Sequence, residues 1–288
     1  IVYAGQQWQR LNFATGERAI AALSLASQYQ PRDRALRCCA AKDRSKGFSP
    51  SVDSCVGLNA SHPALPQTPM LEPQAMAWLR ENGIPVPSFR FAKTEEEAVE
   101  DARELGHPVA MKIVSPEILH KSDVGGVVLN IEDDEAIRRA FRRLAKTGEG
   151  RDFRGVVLYP MIEGGQEVLL GLSRDPQFGP VVAFGLGGIY TEVWQDVALR
   201  VAPIDRAEAQ AMICEIDALP LLEGVRGQPA RDLDVLADVL VTFSELPVRY
   251  PELAEVDLNP VFLFEEGDGL VVGDVRVILH ADAKERPS

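Results

Sequence analysis

The chain has 288 residues, 46% of them apolar and 25% charged, enough to bury the core of one large domain or two ordinary ones. A balance of 43 acidic against 30 basic residues gives a formal charge of -13, which opposes non-specific contact with nucleic acid or anionic membranes. No apolar run approaches the roughly 18 residues of a membrane span and no secretory leader opens the chain, so a cytoplasmic protein with no nucleic-acid or membrane partner is the expectation.

The first 35 residues contain GERAIAALSLASQY at 16–29, which fits one face of a short helix. Residues 36–68 are rich in Ser, Pro, Gly and Asn with no sustained period, and read as a linker; His62 in it reads as solvated. Cys38, Cys39, Cys55 and Cys214 form no C-x-x-C pair and read as reduced thiols. The start at Ile1 instead of Met points to a fragment or a processed product.

Regular patterning begins near residue 69. A helix is predicted over 72–82, stopped by Gly83, and then the extended run from Ile84 to Pro87. Thr94 with Glu97 forms a capping box for a helix that ends at Leu105 and Gly106. Strands follow at 109–115 and 127–131, around the loop that carries His120, and then a helix over 134–146. Further strands are predicted at 155–162, 167–173, 180–186 and 197–203. Asp205 and Glu208 cap the next helix, and Leu233, Leu236, Leu240 and Phe243 share a face of another. Strands at 255–264 and 269–279 close the pattern. Hairpin-like runs with interposed helices give an α+β, or mixed α/β, fold class and not a regular βαβ series.

Three strands place a polar group among apolar ones. In VAMKIV, Lys112 shares a face with Ala110 and Val114, while Val109, Met111 and Ile113 take the other. It reads either as an edge lysine reaching water or as a cation offered to an anionic ligand. Arg200 in VALRVA suits phosphate oxygens, or equally an ion pair. In EVDLNP at 255–260, Glu255, Asp257 and Asn259 point one way, a set of oxygens suited to Mg²⁺ or to a solvated strand face. The loop GLGG at 185–188 lacks the spacing of a dinucleotide fingerprint or P-loop and offers only close backbone approach. Together these residues describe a Mg²⁺-nucleotide site without a P-loop.

The runs PVAMKIVSPEILHKSDVGGV at 108–127, RDPQFGPVVAFGLGGIYTEV at 174–193, RVAP at 200–203 and EVDLNP at 255–260 resemble the ATP-grasp part of the NDP-forming acyl-CoA synthetases. Best known among these are the ADP-forming acetate-CoA ligases, and the likeness to their β subunit runs from about 69 to 279. The resemblance implies an ATP-grasp fold over 69–288, in subdomains of about 69–160 and 161–288. Residues 16–29 resemble the tail of a preceding ligase domain. The implied activity is a ligase that interconverts acyl-CoA, ADP and phosphate with acid, CoA and ATP.

The resemblance also implies roles. Lys112 would contact nucleotide phosphate, and the stretch Tyr159, Pro160, Met161, Ile162 and Glu163 would form the adenine-side hinge. Asp257 and Asn259 would hold Mg²⁺, and Arg200 with Gly185, Gly187 and Gly188 would line the phosphates. Glu167 and Glu192 lie in matching motifs without a firm role. His120 would be a phosphohistidine relay, since a neutral imidazole is an adequate nucleophile near neutral pH. Lys121, Ser122, Gly125 and Gly126 would hold and release its loop. The family's reaction needs a CoA-binding and ligase part, an α-type subunit or domain, for which the first 68 residues are too short. The alternative is a regulatory nucleotide-binding module, such as the ATP-grasp-like part of a fused protein acetyltransferase.

Overall fold

The protein is seen in a computed structural model that describes residues 69–118, 120–187, 196–225 and 227–280. The predicted helical segment over 1–35, the linker over 36–68, Gly188, Glu192, Cys38, Cys39 and Cys55 lie outside the described residues.

Local chemistry sets the element ends. Helix α1 (Glu72–Glu81) starts where Gln74 Oε1 accepts from the Leu71 amide at 2.9 Å, with Pro73 in its first turn. Strand β1 (Arg90–Ala92) leads to α2 (Glu95–Leu105), opened by the expected Thr94–Glu97 capping box and ended by Gly106 at φ 84°. Strands β2 (Val109–Val114) and β3 (Val127–Ile131) flank the His120 loop, followed by α3 (Asp134–Thr147) and β4 (Gly155–Pro160). Then come β5 (Gln166–Asp175), β6 (Gly179–Leu186) and β7 (Val197–Val201). The Asp205–Glu208 capping box opens α4 (Arg206–Glu215), and α5 (Leu219–Glu223) and α6 (Leu233–Arg249) follow. The chain closes with β8 (Leu253–Leu263), β9 (Leu270–Val272) and β10 (Val275–Leu279). The predicted strand over 269–279 is thus two strands, interrupted at Gly273 and Asp274.

The fold class is the expected mixture of helix and sheet. Two sheets form, one ordered β1-β4-β2-β3 and one ordered β10-β8-β5-β6-β7, with β9 paired to β8. Every pairing is antiparallel. One core packs α2 and α3 on the first sheet through Val109, Met111, Ile113, Val156 and Leu158. The larger core joins the second sheet to α4, α5 and α6, and it also takes Val114, Val157 and Tyr159 from the opposite face of the first sheet. Both faces of the first sheet are therefore covered at β2 and β4, and β2 is buried along its whole length.

A division near residue 160 leaves α1 with the first sheet. The structure differs, because Ala75, Met76, Trp78 and Leu79 of α1 belong to the larger core and α1 packs on β10. Apolar burial decides the partner, and chain proximity does not. Among the described residues no helix is long and apolar enough to cross a membrane.

Asp232 ties α6 to the turn between β8 and β9. It caps the helix at the Val235 amide, 3.1 Å away, and its other oxygen accepts from the amides of Gly267 at 3.0 Å and Gly269 at 3.2 Å. Asp232→Ala removes the one buried carboxylate that serves all three donors, and urea unfolding is expected to show a loss of about 2 kcal/mol. A change within about 0.5 kcal/mol, the range of an ordinary surface substitution, would contradict that account.

Candidate functional site

Alternation along β2 puts Lys112 on the face predicted for it. Its cross-strand neighbour on β4 is Val157, Tyr159 lies opposite Ala110, and this face turns to the second sheet. Lys112 is only 8% exposed, and its ammonium donates to Glu72 Oε1 at 3.0 Å, Asp274 Oδ1 at 2.6 Å and the Gly273 carbonyl at 2.8 Å. It also sits 5.0 Å from the centroid of the Tyr159 ring. The three protons of the ammonium are all engaged.

Lys121 reaches the same place from the loop. Its ammonium lies 2.7 Å from Glu72 Oε2 and 3.3 Å from Asp274 Oδ1. Tyr159 donates its hydroxyl to Glu72 Oε1 at 2.7 Å. Burial and the Glu72 carboxylate both push the Tyr159 phenol well above its usual range, so it remains a donor. Burial disfavours the charge on Lys121, yet Asp274 and Glu72 outweigh it and hold its pKa above the usual lysine value. Burial likewise opposes charge on Asp274, yet Lys112 and Lys121 hold its carboxyl well below the carboxylate range. Two cations and two anions thus form one low-dielectric cluster.

His120, half-buried, precedes Lys121 in the chain. The loop is fastened where Ile118 N donates to Ser115 O at 3.4 Å and Gly126 N to Lys121 O at 2.6 Å. A Cβ on Gly126 would lie 2.6 Å from Ile113 Cγ2, so glycine there is needed for close packing against β2.

Strand β8 shows the predicted alternation, with Val256 and Leu258 in the core and Glu255, Asp257 and Asn259 on the half-exposed face. Arg276, opposite Asp257 on β10, pairs with Glu255 and lies 3.8 Å from Asp257. Asp257 Oδ1 is buried without a hydrogen-bond partner. Burial pushes its carboxyl up to about 7, with Arg276 opposing and Glu255 and Asp274 adding to the rise. The Asn259 amide donates to Asp274 O at 3.2 Å, which brings the predicted metal strand beside the lysine cluster. Among the described residues no group of three or more His, Cys, Asp or Glu could hold a metal ion.

Other predicted residues are not brought to this point. Arg200 pairs across the sheet with Val182, which pairs with Leu172 and then Val256, all on the core face. Asp257 is in register with Gly171 and Ala183 on the other face, and Arg200 forms an ion pair with Glu215 of α4 at 2.6 Å. Gly185 and Gly187 are close to the chain's own backbone: a Cβ on them would lie 2.8 Å from Asp196 O and 2.9 Å from the Glu167 carbonyl carbon. The stretch Tyr159 to Glu163 leaves the first sheet for the second, and Met161 N donates to Pro108 O at 3.0 Å. Glu72 and Asp274 escape a sequence reading. An acid in the first turn of a helix has an ordinary local explanation, and the only signal for Asp274 is the Gly-Asp break between two apolar runs.

The profile of the ATP-grasp domain matches residues 64–279. The β subunit of acetate-CoA ligase (ADP-forming) I from Pyrococcus furiosus is 48% identical over 215 residues, covering 73% of this chain and 92% of that one. A solved structure of acetyl-coenzyme A synthetase 1 from Ca. Korarchaeum cryptofilum, in complex with coenzyme A, Ca-AMPCP and HgCl+, is 42% identical with a TM-score of 0.70. That match covers 73% of this chain and 93% of that one. Another structure of the same protein, with coenzyme A and Mg-AMPPCP and its phosphohistidine segment pointing towards the nucleotide binding site, is 41% identical with a TM-score of 0.64. It covers 73% of this chain and 92% of that one. The chain belongs to the ATP-grasp family, in its branch of ADP-forming acetate-CoA ligase β subunits and their relatives among the NDP-forming acyl-CoA synthetases.

The folded Asp257 keeps its proton to about pH 7, whereas an unfolded aspartate loses it near pH 4. Between these values the folded state binds more protons, so the contribution of this group falls as pH rises and is lost above the folded value. Asp257→Asn in metal-free buffer is therefore expected to raise stability by up to about 4 kcal/mol near pH 8 and to change little near pH 4. Equal effects at the two pH values in urea titrations would refute the burial argument.

Proposed function

We propose that this chain is the nucleotide-binding part of an NDP-forming acyl-CoA synthetase, passing phosphate between a phosphohistidine and ADP or ATP. The overall reaction is acyl-CoA + ADP + phosphate = acid + CoA + ATP. The observation that carries the reading is the meeting of Lys112, the His120 loop and Asp274 beside the Asp257 strand. The P. furiosus β subunit, similar over most of both chains, supports it.

In this reading Lys112 contacts the nucleotide phosphates and the backbone from Tyr159 to Glu163, through Pro160, Met161 and Ile162, receives the adenine. Gly185, Gly187 and Gly188 remain candidates for the phosphate edge, while Arg200, turned to the helix side and paired with Glu215, is left out. Asp257 and Asn259 would hold Mg²⁺, with Asp274 the second carboxylate in reach. The fit rests on Asp257 Oδ1, a buried oxygen with no donor to satisfy it and a ligand type that suits a hard cation. Mg²⁺ neutralises phosphate charge when bound.

His120 is the relay. Its neutral imidazole nitrogen forms a bond to the terminal phosphorus of ATP as the bond from that phosphorus to the bridging oxygen breaks, leaving ADP; the reverse direction makes ATP. The acyl and CoA steps belong to a CoA-binding and ligase subunit or domain, so the chain alone is not expected to complete them.

Calorimetry with Mg-ADP is expected to show binding, and its absence at millimolar nucleotide would sink the reading. With γ-labelled ATP and Mg²⁺, the wild type is expected to gain acid-labile, alkali-stable label that His120→Ala lacks. Binding by both proteins with label on neither would instead favour the regulatory module.

A further inference from the structure

Glu72 holds three groups with one carboxylate. Oε1 accepts from Lys112 and Tyr159, and Oε2 faces Lys121. These partners come from β2, β4 and the His120 loop of the first sheet, whereas Glu72 itself sits on α1, which packs with the second. Its side chain is 2% exposed, against 33% for Asp274, the other anion shared by the two lysines.

We propose that Glu72 is a positioning residue: it fixes the ammonium groups of Lys112 and Lys121 from the buried side, and the more exposed Asp274 is the partner that a nucleotide phosphate displaces. The nucleotide part of this proposal rests on the functional reading above. Because the three protons of Lys112 are engaged by Glu72, Gly273 and Asp274, a phosphate oxygen reaches that ammonium only in exchange for one of them. Glu72 is sealed in the core and also satisfies Tyr159, so its loss would leave a buried hydroxyl and two buried cations short of a partner. Asp274 lies at the break between β9 and β10, on the side that solvent reaches, and a phosphate replaces its charge at both lysines without uncovering Glu72. A single carboxylate therefore sets the distance between the phosphate-facing lysine of β2 and the residue next to His120.

An acid at the start of α1 could instead serve only the helix, and the experiment separates these roles. Reductive methylation read by mass spectrometry reports how well each lysine is held, without need of nucleotide. The wild type, Glu72→Gln and Trp78→Phe are compared, the last being a core change in the same helix, 1% exposed and remote in type from the charge cluster. Glu72→Gln is expected to make Lys121 methylate at least about fivefold faster and to weaken Mg-ADP binding about tenfold or more, the effect of removing one partner of a buried charge pair. Trp78→Phe is expected to lower Tm while leaving both readouts within about twofold, since it lies six residues further along α1, roughly 9 Å of helix rise from Glu72. Unchanged methylation in Glu72→Gln would overturn the holding role. Faster methylation with nucleotide affinity equal to that of Trp78→Phe would overturn the positioning role. A wild type that is protected from methylation but binds no Mg-ADP would overturn the functional reading itself, and with it the displacement of Asp274.

Discussion

Two lysine ammonium groups and two carboxylates meet where the first sheet faces the second, and the cost of burying them constrains what surrounds them. An isolated charge in such a place is costly, and a pair is tolerated only when hydrogen bonds satisfy the remaining protons and lone pairs. The arrangement meets most of this condition: Lys112 has three acceptors and Glu72 Oε1 accepts from Lys112 and Tyr159, while Glu72 Oε2 has the Lys121 ammonium at 2.7 Å as an ion partner without a hydrogen bond. Meeting it requires α1, β2 with the loop that follows it, β4 and the break between β9 and β10 to be in place at once. Helix α1 must leave the first sheet for the second core, β9 must break from β10 at Gly273, and the His120 loop must fold back far enough for Lys121 to reach Glu72.

Strand alternation then decides which polar residues can share this point. On β2 the helix-facing residues are Met111 and Ile113, so Lys112 has to look the other way, toward the second sheet. On β8 the same rule turns Asp257 and Asn259 away from the core that Val256 and Leu258 fill. Arg200 obeys it as well, with the opposite result. Its lateral neighbours Val182, Leu172 and Val256 are core residues, and Glu215 at the end of α4 is the anion it meets there. A charge on a strand is therefore not evidence for a ligand until the cross-strand register is known.

Much of this was legible in the residues, and the limits are physical. Thr94 with Glu97 and Asp205 with Glu208 are local chemistry, and both capping boxes form where expected. The face split of VAMKIV and of EVDLNP follows from a period of two and needs no tertiary knowledge. Glu72 was hidden because its local reading, an acid near a helix N-terminus, is complete without any further role. Asp274 was hidden inside the run VVGDVRVIL, whose apolar pattern continues on both sides of the break. Arg200 required a register across four strands. Gly185 and Gly187 needed the positions of Asp196 and Glu167, which their own loop does not specify. What sequence patterns miss in each case is a contact between segments far apart in the chain.

The arrangement also bears on how the His120 loop is controlled. Gly126 is pressed on Ile113, and its amide and carbonyl are both engaged, the latter by Ile113 N at 2.8 Å, so this end is set by close packing against β2. A Cβ on Gly125 would meet only the Arg143 guanidinium, at 3.4 Å, but its φ of 68° is one that other side chains rarely take. Between that end and Ser115, the charged anchor is Lys121, next to the histidine. Its hold is electrostatic and sits in a neutral set of four charges, so any ligand that brings new negative charge to Lys112 or Lys121 alters the balance that fixes the loop. Under the proposed nucleotide function, loop placement and phosphate binding would be linked through the same two carboxylates, with no need for a longer path through the fold.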